Sequence, residues 1–332
     1  MRRSALLVLL SLLVVTAGCV GEVPLDATSE EPEPPLDDAV EIHHIDVGQA
    51  DATLIIEPEG ETMLIDSGDW RQDGEAVIAY LEAQDIDRID HLVATHGHAD
   101  HIGGHEAVID HFEEEKDGIG RAYDSGVAST SQTYERYLDA VERHDVDLRT
   151  VSNGDSFEFG ATTVDIYNPP AGDSGSDLHE NSVALSIRIG ETSYLTTGDA
   201  EGHVEERLVD AHGEALDAGI YQAGHHGSST SSSEPFLDVV DPEVAVISSA
   251  RESQYGHPHD ETLEAFADRG IETYWTGVHG DIVVRTDGEE TTVTTEHDGT
   301  TDPAELLDEK PDDETAAIAT PGTQAAGVPI AE

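Results

Sequence analysis

His96-Gly97-His98-Ala99-Asp100-His101 follows the apolar run Leu92-Val93-Ala94 with only Thr95 between, so a cluster of metal-ligating side chains leaves the end of a buried strand. Residues i and i+2 of an extended segment point to one side, and His96 and His98 can therefore turn imidazole nitrogens toward one ion at about 2.0–2.1 Å. Asp100 and His101 then face a neighbouring position suited to a second ion. Gly97, Gly103 and Gly104 supply the backbone freedom that so tight an arrangement requires. The spacing reads as a dinuclear metal site, not as a polar loop with scattered histidines.

Further motifs flank this segment. Ile45-Asp46-Val47-Gly48-Gln49-Ala50-Asp51 and Leu64-Ile65-Asp66-Ser67-Gly68 precede it; Thr197-Gly198-Asp199, His225-His226-Gly227-Ser228 and Tyr255-Gly256-His257-Pro258 come after it. In this order the motifs resemble the metallo-β-lactamase superfamily over about residues 41–297 and, within it, the C-terminal hydrolase domain of ComEC-type DNA-uptake proteins. The resemblance implies a four-layer αββα sandwich that holds two divalent ions, zinc or manganese. It gives His96 and His98 to the first metal, Asp100 and His101 to the second, and Asp199 to both as a bridging carboxylate. One of His225 and His226 completes the coordination of the second metal while the other faces substrate, and the sequence does not say which. The family's usual third histidine for the first metal is not evident. His179-Glu180-Asn181 stands in its place, leaving His179 and Asn181 as candidates for metal or substrate contact. Imidazole and carboxylate suit zinc and manganese alike.

Roles for the remaining polar residues come from their chemistry. Asp100 can orient the attacking water, and His257 can protonate a leaving oxygen, although Pro258 could equally pin it as a structural loop histidine. Ser228 and Ser229, with the amides after Gly227, can cradle a phosphate or form a plain Ser/Thr linker. Asp46 and Asp66 are expected to support ligating imidazoles through hydrogen bonds. Asp199 can also cap the helix that comes after it. His43, His44, His105 and His111 are read as structural or surface residues.

Composition speaks to environment. Acidic residues number 72 against 15 basic ones, for a formal charge of −57. Such a surface repels itself and nucleic acid in dilute buffer, but at molar salt the Debye length falls to about 3 Å. The balance is therefore read as adaptation to a hypersaline medium. Recurrent apolar runs through 42–286 exclude an intrinsically disordered acidic chain.

The ends read as targeting. Residues 1–18 begin Met1-Arg2-Arg3 and continue as a short apolar run, a signal peptide whose paired arginines suggest twin-arginine export. Thr16-Ala17-Gly18-Cys19 resembles a lipobox, which makes Cys19, the only cysteine, the expected lipid attachment point on the cell surface. Residues 19–40 form an acidic tether, 41–297 the hydrolase domain and 298–332 an acidic, disordered tail.

Within the domain, strands are expected at 41–47, 52–57, 62–66, 89–94, 156–167, 182–189, 192–197, 220–223 and 244–248. Helices are expected at 74–84, 106–114, 132–143 and 201–212. The functional expectation is an extracellular, membrane-tethered, dinuclear metal-dependent hydrolase acting on a phosphodiester substrate, DNA among the candidates. A β-lactam, lactone or thioester hydrolase is the alternative, and a non-catalytic surface lipoprotein the third reading. No protein partner is identifiable.

Overall fold

Alternation of side chains along the strands decides the architecture. Leu54, Leu64 and Leu92 point to one face of a sheet, while their chain neighbours Ile55, Met63 and Val93 point to the other, and all are buried. A sheet apolar on both faces must be covered twice. The computed structural model, which describes residues 36, 38–172 and 174–311, shows how.

Six strands open the chain: β1 (Val40–His44), β2 (Thr53–Ile56), β3 (Thr62–Ile65), β4 (Ile89–Val93), β5 (Ile119–Asp124) and β6 (Leu148–Thr150). A second sheet comes next with β7 (Ser156–Phe159), β8 (Thr162–Asn168), β9 (Ala184–Ile189), β10 (Thr192–Thr196), β11 (Ile220–Gln222), β12 (Val244–Ile247) and β13 (Glu272–Trp275). Finally β14 (Ile282–Thr286) and β15 (Thr291–Thr295) return to the first, giving orders β15-β14-β1-β2-β3-β4-β5-β6 and β13-β12-β11-β10-β9-β8-β7. The runs β3 to β6 and β10 to β13 are parallel.

Between the sheets lies a core of Ile42, Ile55, Met63 and Val93 against Val164, Leu185, Ile187 and Val246. Helices α1 (Glu75–Ala83), α2 (His105–Glu115) and α3 (Gln132–His144) cover the outer face of the first sheet with Leu81, Val108, Phe112 and Tyr137. The second sheet is covered by α4 (Gly202–His212), α5 (Glu234–Val240) and α6 (Asp260–Arg269), which bury Leu208, Phe236 and Phe266. These three apolar layers make the four-layer αββα sandwich.

Two expectations are corrected. The single strand at 156–167 is a hairpin, turned between Phe159 and Thr162, where Gly160 takes φ 54°. A Cβ on Gly160 would stand 2.1 Å from Glu57 Cδ, so the turn and its close packing both require glycine. Nor does a disordered tail begin at Asp298. The short α7 (Thr276–His279) is followed, after β15, by α8 (Pro303–Glu309), capped by the Asp302 side chain on Ala304 N–H and anchored by buried Leu306 in the second helical layer. An acidic surface disguised an amphipathic turn. The signal peptide, Cys19 and most of the tether lie outside the described residues, as does the chain beyond 311.

Candidate metal centre

Parallel strands of both sheets end at the same place. β3 delivers Asp66, β4 the segment from Thr95 to His101, β10 Gly198 and Asp199, β11 His225 and His226, and β12 the loop carrying His257. Loops at the carboxyl ends of parallel strands are where such folds assemble sites, because each side chain is then held by a buried strand.

Asp199, only 2% exposed, sits at the centre. Its Oδ1 lies 3.2 Å from His101 Nε2 and 3.8 Å from His226 Nε2, whereas its Oδ2 lies 3.6 Å from His96 Nε2, 3.8 Å from His179 Nε2 and 3.6 Å from His225 Nε2. One carboxylate thus turns a separate oxygen to each of two imidazole clusters. In the first, His96 Nε2 and His98 Nδ1 converge to 2.8 Å, and His179 joins them within metal-ligating reach. His179 thus stands beside His96 and His98, where it could serve as the third nitrogen of the first cluster. In the second, His101 and His226 meet Asp199, with Asp100 Oδ2 3.5 Å from His226 Nε2. Of the two adjacent histidines, His226 belongs to this cluster, and His225 stands toward the opening with His179 and Glu201.

Hydrogen bonds decide which nitrogen each ring presents. Asp66 Oδ2 accepts from His101 Nδ1 at 2.7 Å, and the Ser248 carbonyl accepts from His226 Nδ1 at 3.1 Å, so both rings face Asp199 with Nε2. Those two Nε2 atoms, like Asp199 Oδ1, are buried without a hydrogen-bond partner. Orphaned acceptors at one point are costly unless a cation fills the gap, and this donor set fits divalent ions. Asp51 falls in the same proximity group, but its carboxylate approaches the Nδ1 side, 3.8 Å from His101 and 3.5 Å from His226. On that side it steadies the rings. Sequence reasoning gave Asp51 no role; a carboxylate flanked by Ala50 and Ala52, all three buried, was the available signal.

Electrostatics agree with ion binding. Burial holds His96 and His98 below their ordinary pKa, leaving neutral rings with free lone pairs. Burial opposes charge on His101 and His226 as well, but Asp199 with Asp66 and Asp51 with Asp199, respectively, raise both well above the usual value. A site that attracts a proton so strongly attracts a metal cation at the same nitrogens. Burial alone would raise the Asp199 carboxyl, yet the surrounding imidazoles hold it well below the carboxylate range.

His225 and His226 are consecutive non-glycine residues at φ 51° and 57°. Left-handed backbone costs about 1–3 kcal/mol per such residue, and here it is what turns adjacent side chains toward the same centre. The Gly198 carbonyl, accepting from His225 N at 3.0 Å, helps hold the turn.

The remaining expected residues take varied places around this centre. Ser228 Oγ lies 3.1 Å from Thr230 Oγ1, and both the amide and the hydroxyl of Ser229 meet His259 Nδ1 at 2.9 and 3.0 Å, so both serines take part in the bonding that ties the loop together. Thr230 Oγ1 in turn contacts His225 Nδ1 at 3.2 Å. Asp46 is corrected too: its exposed carboxylate accepts from Gly48 N, not from an imidazole of the metal clusters. Asn181 is buried, and its Nδ2 donates to Asp177 O at 2.7 Å and Ser174 O at 3.3 Å, shaping the loop that presents His179. His257 borders the second cluster, 6.2 Å from His226 by ring centroids, with burial depressing its pKa to about 3. Its Nδ1 lies 3.2 Å from the Gln49 amide nitrogen. His43, His44 and His105 are buried core histidines, and His111 is half-buried.

Residues 45–251 match the model of the metallo-β-lactamase superfamily. The chain belongs to that family. It is a metal-dependent hydrolase of the superfamily, and its similar relatives include a competence protein. ComE operon protein 3 of Bacillus subtilis (strain 168) is 28% identical over 261 residues, covering 74% of this chain and 33% of the relative. Competence protein ComA of Neisseria gonorrhoeae is 30% identical over 236 residues, covering 71% and 30% respectively. The chain thus spans about a third of the length of these relatives. Among solved structures, the metallo-β-lactamase fold protein YhfI from Bacillus subtilis superposes with a TM-score of 0.52 at 11% identity, covering 75% of this chain and all of that one, a likeness of fold alone.

Proposed function

We propose that this protein is a phosphodiesterase, acting on nucleic acid outside the cell from a lipid anchor at Cys19. The observation that carries the hydrolytic half is the division of the two Asp199 oxygens between two imidazole clusters. Divalent ions bound there would supply Lewis acidity and lower the pKa of a water toward about 7. The chain's own groups supply the rest. Asp100, with its side chain 31% exposed, is the carboxylate on the open side of the second cluster; although burial would raise its carboxyl, the bond to His226 and the charge of His101 hold it well below the usual range, so it stays ionised and can orient the attacking water. His257, held neutral by burial, can steady the leaving oxygen with a hydrogen bond from its ring N–H but does not protonate it. Similarity to competence proteins and the positions of His226 and His257 favour a phosphodiester over a β-lactam, lactone or thioester.

Purified protein loaded with Mn²⁺ or Zn²⁺ in concentrated salt is expected to cut single-stranded DNA or a model phosphodiester, and His257→Ala to slow it without loss of metal. A metal-replete protein that ignores both yet opens a β-lactam or a lactone overturns the proposal. The anchor is tested separately. Cys19→Ser should release the protein or leave it unprocessed, and a membrane-bound variant of mature mass would refute lipid attachment.

A further inference from the structure

Trp70 and Tyr255 are the large apolar side chains left exposed among the described residues, at 49% and 58%, and both line one cavity of about 390 Å³. Isolated exposed aromatics are ordinary, but two bordering the same cleft call for an occupant. Gln49, Asp69, Arg71, Asp100 and Gln254 are among the other residues that line it, so the cleft reaches the metal centre at Asp100. Both aromatics are tied to that centre. Trp70 N–H donates to the Ala99 carbonyl at 3.0 Å, one residue before Asp100, and the Tyr255 ring lies 5.7 Å from His257.

The charge around the cleft argues for what it takes. Arg71 lies over the Trp70 ring, its carbon 5.0 Å from the centroid, but its charge is paired with Asp69 at 3.0 Å. On a chain of net charge −57, attraction to phosphates can contribute little. Base faces remain, because stacking on an aromatic ring needs no opposite charge and persists in salt. We infer that Trp70 and Tyr255 form a stacking clamp for unpaired bases, which makes single-stranded nucleic acid the preferred substrate and excludes duplex, whose base faces are already stacked. The inference deepens the phosphodiesterase reading and rests on it.

Intrinsic fluorescence gives a direct test. The chain has two tryptophans, and the other, Trp275, is fully buried with Nε1 bonded to the Ser249 carbonyl at 2.8 Å. Quenching by a ligand therefore reports Trp70. Metal-loaded full-length protein in molar salt is titrated with a phosphorothioate oligothymidylate, with an abasic strand of the same length and with a duplex. Only the oligothymidylate should quench. Anisotropy of the labelled strand should show Trp70→Ala and Tyr255→Ala each weakening binding by about 5- to 150-fold, with phenylalanine at either position restoring most of it, and an affinity almost flat with salt. Metal content equal to wild type verifies that the variants fold. Equal binding of abasic and base-bearing strands, or unchanged affinity in both alanine variants, overturns the clamp. If no phosphodiester is cut yet oligothymidylate still quenches Trp70, the clamp stands and the hydrolytic reading falls.

Discussion

Asp66→Asn removes one charge and one acceptor from beneath the second cluster, and the surrounding hydrogen bonds fix the consequence for His101. Asp66 Oδ1 accepts from Thr95 N at 2.9 Å, while Oδ2 accepts from the Thr95 hydroxyl at 2.6 Å and from His101 Nδ1 at 2.7 Å. The backbone is at φ 58°, a conformation asparagine tolerates, so the fold is spared. If the amide oxygen stays on Thr95 N–H, the new NH₂ faces His101 Nδ1 and drives the imidazole proton to Nε2, the atom that faces Asp199. If the amide turns over, its NH₂ meets the Thr95 N–H, and a buried unpaired donor costs about 1–3 kcal/mol. Either way His101 is lost or weakened as a ligand, and a 10- to 100-fold fall in affinity is expected, about 1.4–2.7 kcal/mol. Chelator competition with Zn²⁺ or Mn²⁺ in high salt should show one of two binding equivalents weakened and the other, held by His96, His98 and His179, nearly intact. Wild-type affinity for both equivalents in a folded variant would refute the assignment of His101 Nε2 as a ligand atom.

Packing and charge lead to three further outcomes. Gly198→Ala places a Cβ 2.3 Å from Ser182 Oγ at a backbone φ of 51°, so denaturation in high salt should show about 1–3 kcal/mol lost together with weaker metal binding; unchanged stability would contradict the close packing behind Asp199. His105, fully buried against Ser67 Oγ at 2.6 Å, has its pKa pushed down by burial, and further by His101, to about 3. Its folded value lies below the unfolded 6.5, so the neutral ring's contribution is complete above pH 6.5 and is lost as pH falls toward 3. His105→Gln should therefore flatten the stability profile in that window by up to about 1.4 kcal/mol per pH unit, and an identical slope would count against a buried neutral His105. Circular dichroism against KCl concentration tests the acidic surface: native structure is expected only in concentrated salt, and full structure at low ionic strength would contradict the hypersaline reading.

Local chemistry made much of this protein legible in one dimension. The HxHxDH segment, the Asp66 and Asp199 turns and the His225-His226 pair each announce themselves because ligand residues at the exit of an apolar run have few other uses, and period-two alternation marks strands wherever both faces are buried. The hairpin at 156–168 escaped notice because Gly160 sits within an otherwise unbroken strand pattern, and α8 because its apolar anchor is embedded in an acidic run. What the chain alone could not decide was convergence. His179 lies in a Gly, Ser and Asp-rich loop with no periodic signal, and only the crossing of two sheets brings it within 3.8 Å of Asp199. Choosing between His225 and His226 needed the left-handed turn that brings them to different oxygens of Asp199, and the contrast between Asp66 and Asp46 needed knowing which carboxylate is buried under an imidazole. Ligand identity is written in residue type and spacing; which atom faces which ion depends on long-range packing that brings chain segments as far apart as Asp100 and His226 into one buried, low-dielectric site.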